Sequence, residues 1–193
     1  MKKSIRALLL CAGLGKRLRP ITLKKPKCLM ELAERPILEL WLKKLEKISC
    51  ESTLINTHYL SEQVEDFLSS YRSKKMSIET TYEPKLLGTA GTLRKNLNFF
   101  RKSTCLLIHA DNAMEDNLNF LIERHENRPE GCLLTMLTFN TNNPQNCGIV
   151  SLDSKGVVIN FHEKIKNPPG NIANGAIYAF DYEFIEFFKT LNS

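Results

Sequence analysis

The segment Ile5-Arg6-Ala7-Leu8-Leu9-Leu10-Cys11-Ala12, followed at once by Gly13-Leu14-Gly15-Lys16-Arg17-Leu18-Arg19-Pro20, decides the fold. A continuous apolar run that ends at a glycine marks a strand buried on both faces of an α/β sheet, because both sides of the pleat must then be apolar. Such a strand delivers a glycine turn whose backbone N–H groups can face phosphate, and Lys16 and Arg17 follow directly to neutralise it. A dinucleotide fingerprint would need a third glycine at position 18, which is Leu18, and a Walker A loop would need G-x-x-x-x-G-K-[ST], which is absent. On these residues alone, a phosphate-binding loop and a plain glycine turn with solvated charges both stand.

Outward from this segment the chain alternates β and α. Pro36 opens a helix carrying Ile37, Leu38, Trp41, Leu42, Leu45 and Ile48 at helical spacing. Residues 53–57 read as a strand, and Ser61 is expected to cap a helix with Val64, Phe67, Leu68 and Tyr71 on one face. A strand over 76–82, a helix over 89–99 and a buried strand over 104–110 that closes on Asp111 complete this half. The second half reads as a helix at 117–127, a strand at 132–139, a hairpin from 148–152 to 157–163 around Asp153-Ser154-Lys155-Gly156, and a strand at 172–180. Asp181 is expected to cap a last helix with Phe184, Ile185, Phe188 and Leu191. The pattern predicts one α/β domain over 1–193, a Rossmann-like mixed sheet flanked by helices, with a first half at 1–115 and a more β-rich half at 116–193.

The 193 residues have the composition of an ordinary globular chain, 42% hydrophobic and 25% charged, long enough to build a core without disulfides or metals. The longest apolar run, at 7–12, is far short of the roughly 18 to 20 residues that cross a bilayer, which argues against an integral membrane protein. Met1-Lys2-Lys3 before Ala7-Leu8-Leu9-Leu10-Cys11 imitates a signal peptide with a lipid-attachment cysteine, but the run is too short and leads straight into the glycine turn. The six cysteines lie 15 or more residues apart with no C-x-x-C pair, which predicts reduced thiols in a cytoplasmic chain. The net charge of +6 is local: residues 1–30 hold nine Lys or Arg and no acid, leaving 18 basic against 21 acidic groups elsewhere. That distribution suits a small polyanion near the N-terminus better than a nucleic-acid duplex across a broad face.

The residues from Gly13 to Thr22, then Lys25-Pro26-Lys27-Cys28-Leu29, resemble the signature of the sugar-1-phosphate nucleotidyltransferases, G-x-G-T/S-R-L-x-P-L-T followed by P-K. Further blocks follow in family order: Ile55-Asn56-Thr57-His58-Tyr59-Leu60, Glu83-Pro84-Lys85-Leu86-Leu87-Gly88-Thr89-Ala90-Gly91, His109-Ala110-Asp111-Asn112, Cys147-Gly148-Ile149-Val150, Phe161-His162-Glu163-Lys164 and Asn174-Gly175-Ala176-Ile177-Tyr178. The wording of the Gly88 and Asn174 blocks is most similar to the mannose-1-phosphate guanylyltransferase branch, with heptose-1-phosphate guanylyltransferases close by.

The resemblance implies a reaction in which a sugar 1-phosphate oxygen attacks the α-phosphate of a nucleoside triphosphate and releases pyrophosphate. It implies that Ala12, Gly13, Gly15, Lys16, Arg17, Gly88 and Thr89 bind the nucleotide, with Arg17 on the leaving β- and γ-phosphates and Lys27 on the α-phosphate. Asp111, at the end of an apolar strand, is the implied Mg²⁺ ligand, since that ion takes one or two carboxylates plus phosphate oxygens and water. A loop or helix-capping aspartate is the alternative there. Gly148, Glu163 and Asn174 are implied to contact sugar hydroxyls and Lys164 the sugar phosphate, although Glu163-Lys164 also reads as an exposed pair of little energetic weight. The four histidines show no metal-ligand spacing.

Two departures from the pattern matter. Lys16 stands where the family has Thr or Ser. The second metal-binding aspartate, expected in a D-x-G-T-like segment beyond the asparagine block, is absent up to Ser193, which leaves Asp181 as a candidate replacement, a C-terminally truncated sequence, or a nucleotide-binding module without full catalytic power.

Overall fold

The computed structural model describes residues 3–73, 75–100 and 103–191, so Met1 and Lys2 of the signal-like N-terminus lie outside the described residues. In chain order the elements are β1 (Ile5–Leu10), β2 (Glu31–Leu32), β3 (Arg35–Pro36), α1 (Ile37–Lys47), β4 (Ser52–Thr57), α2 (Ser61–Ser70), β5 (Ser77–Tyr82) and α3 (Gly88–Lys95). They continue with β6 (Thr104–His109), α4 (Leu118–Glu126), β7 (Leu134–Asn140), β8 (Gly148–Leu152), β9 (Val158–Glu163), β10 (Ile172–Phe180) and α5 (Tyr182–Thr190).

β1 lies inside the sheet, parallel to β4 on one side and β6 on the other, which is why its sequence is apolar on both faces. β5 extends the parallel block beyond β4. The direction then reverses, because β10 runs antiparallel to β6. Ala179 pairs with Leu106 of β6 and Thr135 of β7, and Ala173 with Phe139 of β7 and Ile149 of β8, so β6 and β8 share one edge of β10 and β7 takes the other. β8 and β9 form the expected antiparallel hairpin. One mixed sheet thus runs through both halves, flanked by helices.

The alternation of β1 divides the core. Ala7 and Leu9 point into a cluster with Leu38, Trp41 and Leu42 of α1, Val64 of α2 and Leu121 and Ile122 of α4. Leu8 points the other way, among Leu54, Leu93 of α3, Phe100, Phe180 and Ile185 and Phe188 of α5. Burial of this set on both faces is the main driving force for the fold, at about 1.5 to 3 kcal/mol for each large apolar side chain.

Several local expectations are corrected. Ser61 does not cap α2: Leu60 holds the N-cap position at φ 50 and Ser61 is the first helical residue. The helix expected at 89–99 stops at Lys95, where Asn96 turns the chain into a 3-10 turn at Leu97–Phe99, its Nδ2 donating to Thr92 O. Asp181 occupies the N-cap of α5 but its carboxylate makes no cap bond. It is taken instead by Lys3 Nζ at 2.9 Å, Thr104 Oγ1 at 3.2 Å and Arg128 at 3.4 Å, with His125 Nε2 at 3.6 Å. The stretch between Lys16 and Pro36 contains three 3-10 turns and the short β2–β3 hairpin.

Candidate active site

The parallel strands β1, β4, β5 and β6 present their carboxyl ends together, the edge at which open α/β sheets receive ligands. Two adjoining cavities open there. The first, of about 260 Å³, is lined among others by Ala12, Gly13, Lys27, Gly88, Thr89 and Asp111. The second, of about 530 Å³, is lined by Gly13, Gly15, Lys16, Arg17, Lys27 and Asp111 among others. Every residue expected at the nucleotide therefore borders one or both cavities, with Gly13, Lys27 and Asp111 shared.

The floor of the first cavity is a buried polar network. Asn56 Oδ1 accepts from the N–H of Cys11 at 2.7 Å and of Ala12 at 3.3 Å. Its Nδ2 donates to Glu83 Oε1 at 3.0 Å, which also receives the Thr92 hydroxyl at 2.5 Å. Glu83 Oε2 accepts the N–H of Leu87 at 3.1 Å. Glu83 is only 1% exposed, and a polar group so buried is tolerable only because these donors surround it. The network ties the glycine turn after β1 to the Leu87–Gly88–Thr89 turn that opens α3, so it sets the width of the cavity. Its sequence signal was a polar residue in an otherwise buried strand, Asn56, and an acid directly after β5, Glu83.

At the boundary of the cavities Lys27 Nζ lies 2.5 Å from Asp111 Oδ2, with the two side chains 23% and 36% exposed. Lys27 is placed by the 3-10 turn Lys27–Leu29, Asp111 by the end of β6. His109 Nε2 lies 3.2 Å from Thr89 Oγ1. Burial pushes the His109 imidazole below its ordinary value, with Asp111 opposing and Lys27 adding to the shift. Cys11, on the same wall, is held as a thiol well above its ordinary value by its hydrogen bond with Cys28 and by burial, and offers no nucleophile.

The glycine turn is shaped by its neighbour. Gly15 has φ 58, and a Cβ there would meet Thr22 Cγ2 at 2.8 Å, while Thr22 Oγ1 donates to Gly15 O at 2.8 Å. Only glycine meets both demands. Lys16 and Arg17 follow in the 3-10 turn Lys16–Leu18, exposed along the second cavity.

The residues expected at the sugar line neither cavity. Glu163 and Lys164 form an ion pair at 2.8 Å with side chains 57% and 61% exposed. Gly148 pairs with Glu163, and a Cβ on it would meet Phe161 Cζ at 2.6 Å. Asn174 spends its side chain on its own strand, accepting from Ala176 N at 2.8 Å and donating to Tyr178 Oη at 2.7 Å. Asp181 cannot stand in for a second carboxylate at Asp111. It packs on Thr104, at the opposite end of β6, about 20 Å of strand away. Among the described residues no group of three or more His, Cys, Asp or Glu is placed to hold a metal, and no helix is long and apolar enough to cross a membrane.

A mixed sheet with a glycine turn, two cavities that share Lys27, the second also lined by Lys16 and Arg17, and a strand-end aspartate at its carboxyl edge defines an α/β protein shaped to receive an anionic ligand. The family profile described as nucleotidyl transferase matches residues 6–193, and the chain belongs to that family. It is 33% identical over 181 residues to the mannose-1-phosphate guanylyltransferase catalytic subunit beta of Drosophila melanogaster, covering 91% of this chain and 48% of that protein. It is 27% identical to the UTP–glucose-1-phosphate uridylyltransferase of Synechocystis, covering 95% of this chain and 50% of the relative. The chain spans about half the length of these curated relatives. A Bacillus anthracis structure, named provisionally as a glucose-1-phosphate thymidylyltransferase and solved with sucrose, superposes with a TM-score of 0.88 at 24% identity, over 98% of this chain and 76% of that one. That likeness shows the shared Rossmann-like fold.

Proposed function

We propose that the chain transfers a nucleoside monophosphate from a nucleoside triphosphate, GTP in our reading, to mannose or heptose 1-phosphate, giving an NDP-sugar and pyrophosphate in the cytoplasm. The observation that carries this reading is the Lys27–Asp111 pair, which faces both cavities at once. A base in the first cavity and a triphosphate tail in the second would put the α-phosphate between them, beside that pair.

In this reading a phosphate oxygen of the sugar 1-phosphate forms a bond to the α-phosphorus, and the bond to the bridging oxygen of the β-phosphate breaks with its electrons leaving on pyrophosphate. No proton abstraction from carbon and no covalent enzyme intermediate is required, so positioning and charge neutralisation do the work. Lys27 steadies the charge on the α-phosphate, Lys16 and Arg17 the departing pyrophosphate, and the backbone of Ala12, Gly13 and Gly88 lets the nucleotide approach closely. Asp111 fits as a ligand of Mg²⁺, because its partly exposed carboxylate stands at the cavity boundary where phosphate oxygens would complete the coordination. The bound ion supplies charge neutralisation to the phosphates. The half from 116 to 193, through Gly148, Glu163, Lys164 and Asn174, receives the sugar phosphate.

A second reading, a nucleotide-binding or regulatory module of the same fold, is favoured by one observation: among the described residues the only other carboxylate lining the first cavity, Glu83, is consumed by Asn56, Thr92 and Leu87. The test is a matrix of nucleoside triphosphates against sugar 1-phosphates with Mg²⁺, scored by pyrophosphate release. Release that peaks with GTP and mannose or heptose 1-phosphate supports the transferase. Triphosphate binding without release supports the module.

A further inference from the structure

β10 carries an interruption whose repair comes from the other half of the chain. Its register against β7 slips between Asn174, opposite Thr138, and Tyr178, opposite Met136, so β10 holds two extra residues there. Gly175 and Ala176 fall in the slip and pair with no neighbouring strand. Backbone groups left out of a ladder must find other partners when half-buried. The Ala176 N–H is taken by the Asn174 side chain, with Ala176 at φ 54. The Gly175 carbonyl is taken by Asn112 Nδ2 at 2.9 Å. A Cβ on Gly175 would stand 3.0 Å from Leu137 O, so any larger residue would press on the β7 backbone there.

Asn112 is the residue directly after Asp111, and two further contacts hold it. Its N–H closes a turn onto His109 O at 3.1 Å, and its own carbonyl accepts the Trp41 indole N–H at 2.8 Å. Trp41 is almost fully buried in α1, so the anchor is rigid. The chain from Trp41 through Asn112 to Gly175 fastens the backbone beside Asp111 to the strand that carries Asn174. Among the described residues no other side-chain hydrogen bond joins the Asp111 loop to β10.

We infer that Asn112 is a positioning residue that fixes the sugar-receiving bulge of β10 against the Asp111 carboxylate, with Trp41 as its anchor. The inference rests on the transferase reading for its kinetic consequence, but the mechanical link can be measured without turnover. A static bulge would make the sugar 1-phosphate meet the α-phosphate at one angle, and a loosened one would not. Nucleotide binding is governed by the Asn56–Glu83–Thr92 network, which Asn112 does not touch, so the two substrates separate the effect.

The test compares the wild-type chain with Asn112→Ala, and with Trp41→Phe in case the first variant folds poorly. Backbone amide exchange is followed in both, and kinetics are run with GTP, mannose 1-phosphate and Mg²⁺, or with whichever substrate pair the wild type turns over fastest. Loss of one half-buried hydrogen bond predicts faster exchange at Ala176 and Tyr178 with residues 87–89 unchanged, and about a tenfold rise in KM for the sugar 1-phosphate with triphosphate Kd unaltered. Trp41→Phe should move the same quantities in the same direction by less. Unchanged exchange at Ala176 and Tyr178 in Asn112→Ala, or equal losses for both substrates, overturns the inference. A wild type that releases no pyrophosphate with any pair removes the transferase reading, and the exchange pattern then decides the link by itself.

Discussion

Lys27 and Asp111, 84 residues apart in sequence, meet with Nζ 2.5 Å from Oδ2 at the boundary of the two cavities. A lysine so placed pairs with the carboxylate in the absence of ligand and can turn to a phosphate when one arrives. Both side chains remain partly exposed, so the pair contributes little to folding and its value lies in what it can bind.

Asp111→Asn and Lys27→Met should accordingly separate stability from activity. We expect each to shift the melting temperature by less than about 3 °C. Pyrophosphate release in Mg²⁺ should fall on the order of 10² to 10³ in either variant, since a charge that acts on the transition state is gone. Calorimetric melts alongside initial rates check this, and a variant with wild-type turnover removes that residue from the site.

The glycine turn offers a test of shape. Gly15→Ala must adopt a left-handed backbone, at a cost of about 1 to 2 kcal/mol, and must also displace Thr22 Cγ2. Thr22→Ser keeps the hydroxyl that binds Gly15 O and removes the methyl. Gly15→Ala should therefore destabilise the chain less in the Thr22→Ser background than in the wild type, by urea unfolding of all four chains of the cycle. Equal costs in the two backgrounds would show that the methyl contact is irrelevant.

The fold was largely legible because its strongest signals are local. The apolar run of β1, the hairpin of β8 and β9 and the strand β10 follow from composition and turn residues within a few positions. What escaped depends on partners distant in sequence. Ser61 looked like a cap, but the αL conformation of Leu60 starts α2 one residue earlier. Asp181 also looked like a cap until Lys3, Thr104 and Arg128, from three other parts of the chain, claimed its carboxylate. Asn56 and Glu83 were visible as polar residues at strand ends, yet their bonds to each other, to Thr92 and to the glycine turn exist only once β1, β4 and β5 lie side by side. The bulge at Gly175 is equally non-local, since a register slip is a property of two strands.

Asp181 makes acid stability testable. Burial alone would raise its carboxyl, but the His125 imidazole and the Lys3 ammonium beside it overcome that and hold it well below the ordinary 3.8. A carboxylate with a depressed folded-state value adds stability above its unfolded value and loses it as the pH falls toward the folded one. Asp181→Asn should thus cost about 2 kcal/mol at pH 7. The gap between variant and wild type should begin to close below about pH 4. Denaturant unfolding at pH 7, 5 and 3 measures it, and a gap that stays constant from pH 7 to 3 would mean that the charge of Asp181 is not what holds Lys3 and Arg128.

Glu83 separates the width of the nucleotide cavity from its charge. Its carboxylate receives three donors, from Asn56, Thr92 and Leu87, and none of them is a cation, so its role is to hold two turns at one spacing. Glu83→Gln keeps the volume but replaces one acceptor oxygen by an NH₂ group that faces a donor. Whichever way the amide turns, one of the two turns loses its tie. Glu83→Ala loses both, leaving the Leu87 N–H without its acceptor and the Asn56 Nδ2 with only the Thr92 hydroxyl at 3.3 Å, which should cost about 3 kcal/mol of stability. We expect Glu83→Gln to remain folded and to weaken triphosphate binding by about tenfold, with the KM for sugar 1-phosphate little changed. Thr92→Val, which removes only the hydroxyl and keeps the shape, should show a smaller loss in the same direction. Titration calorimetry with GTP and Mg²⁺ reads all three variants. Triphosphate affinity unchanged in Glu83→Gln would mean that the cavity keeps its width without the network, and that the spacing of the two turns is set by the sheet alone.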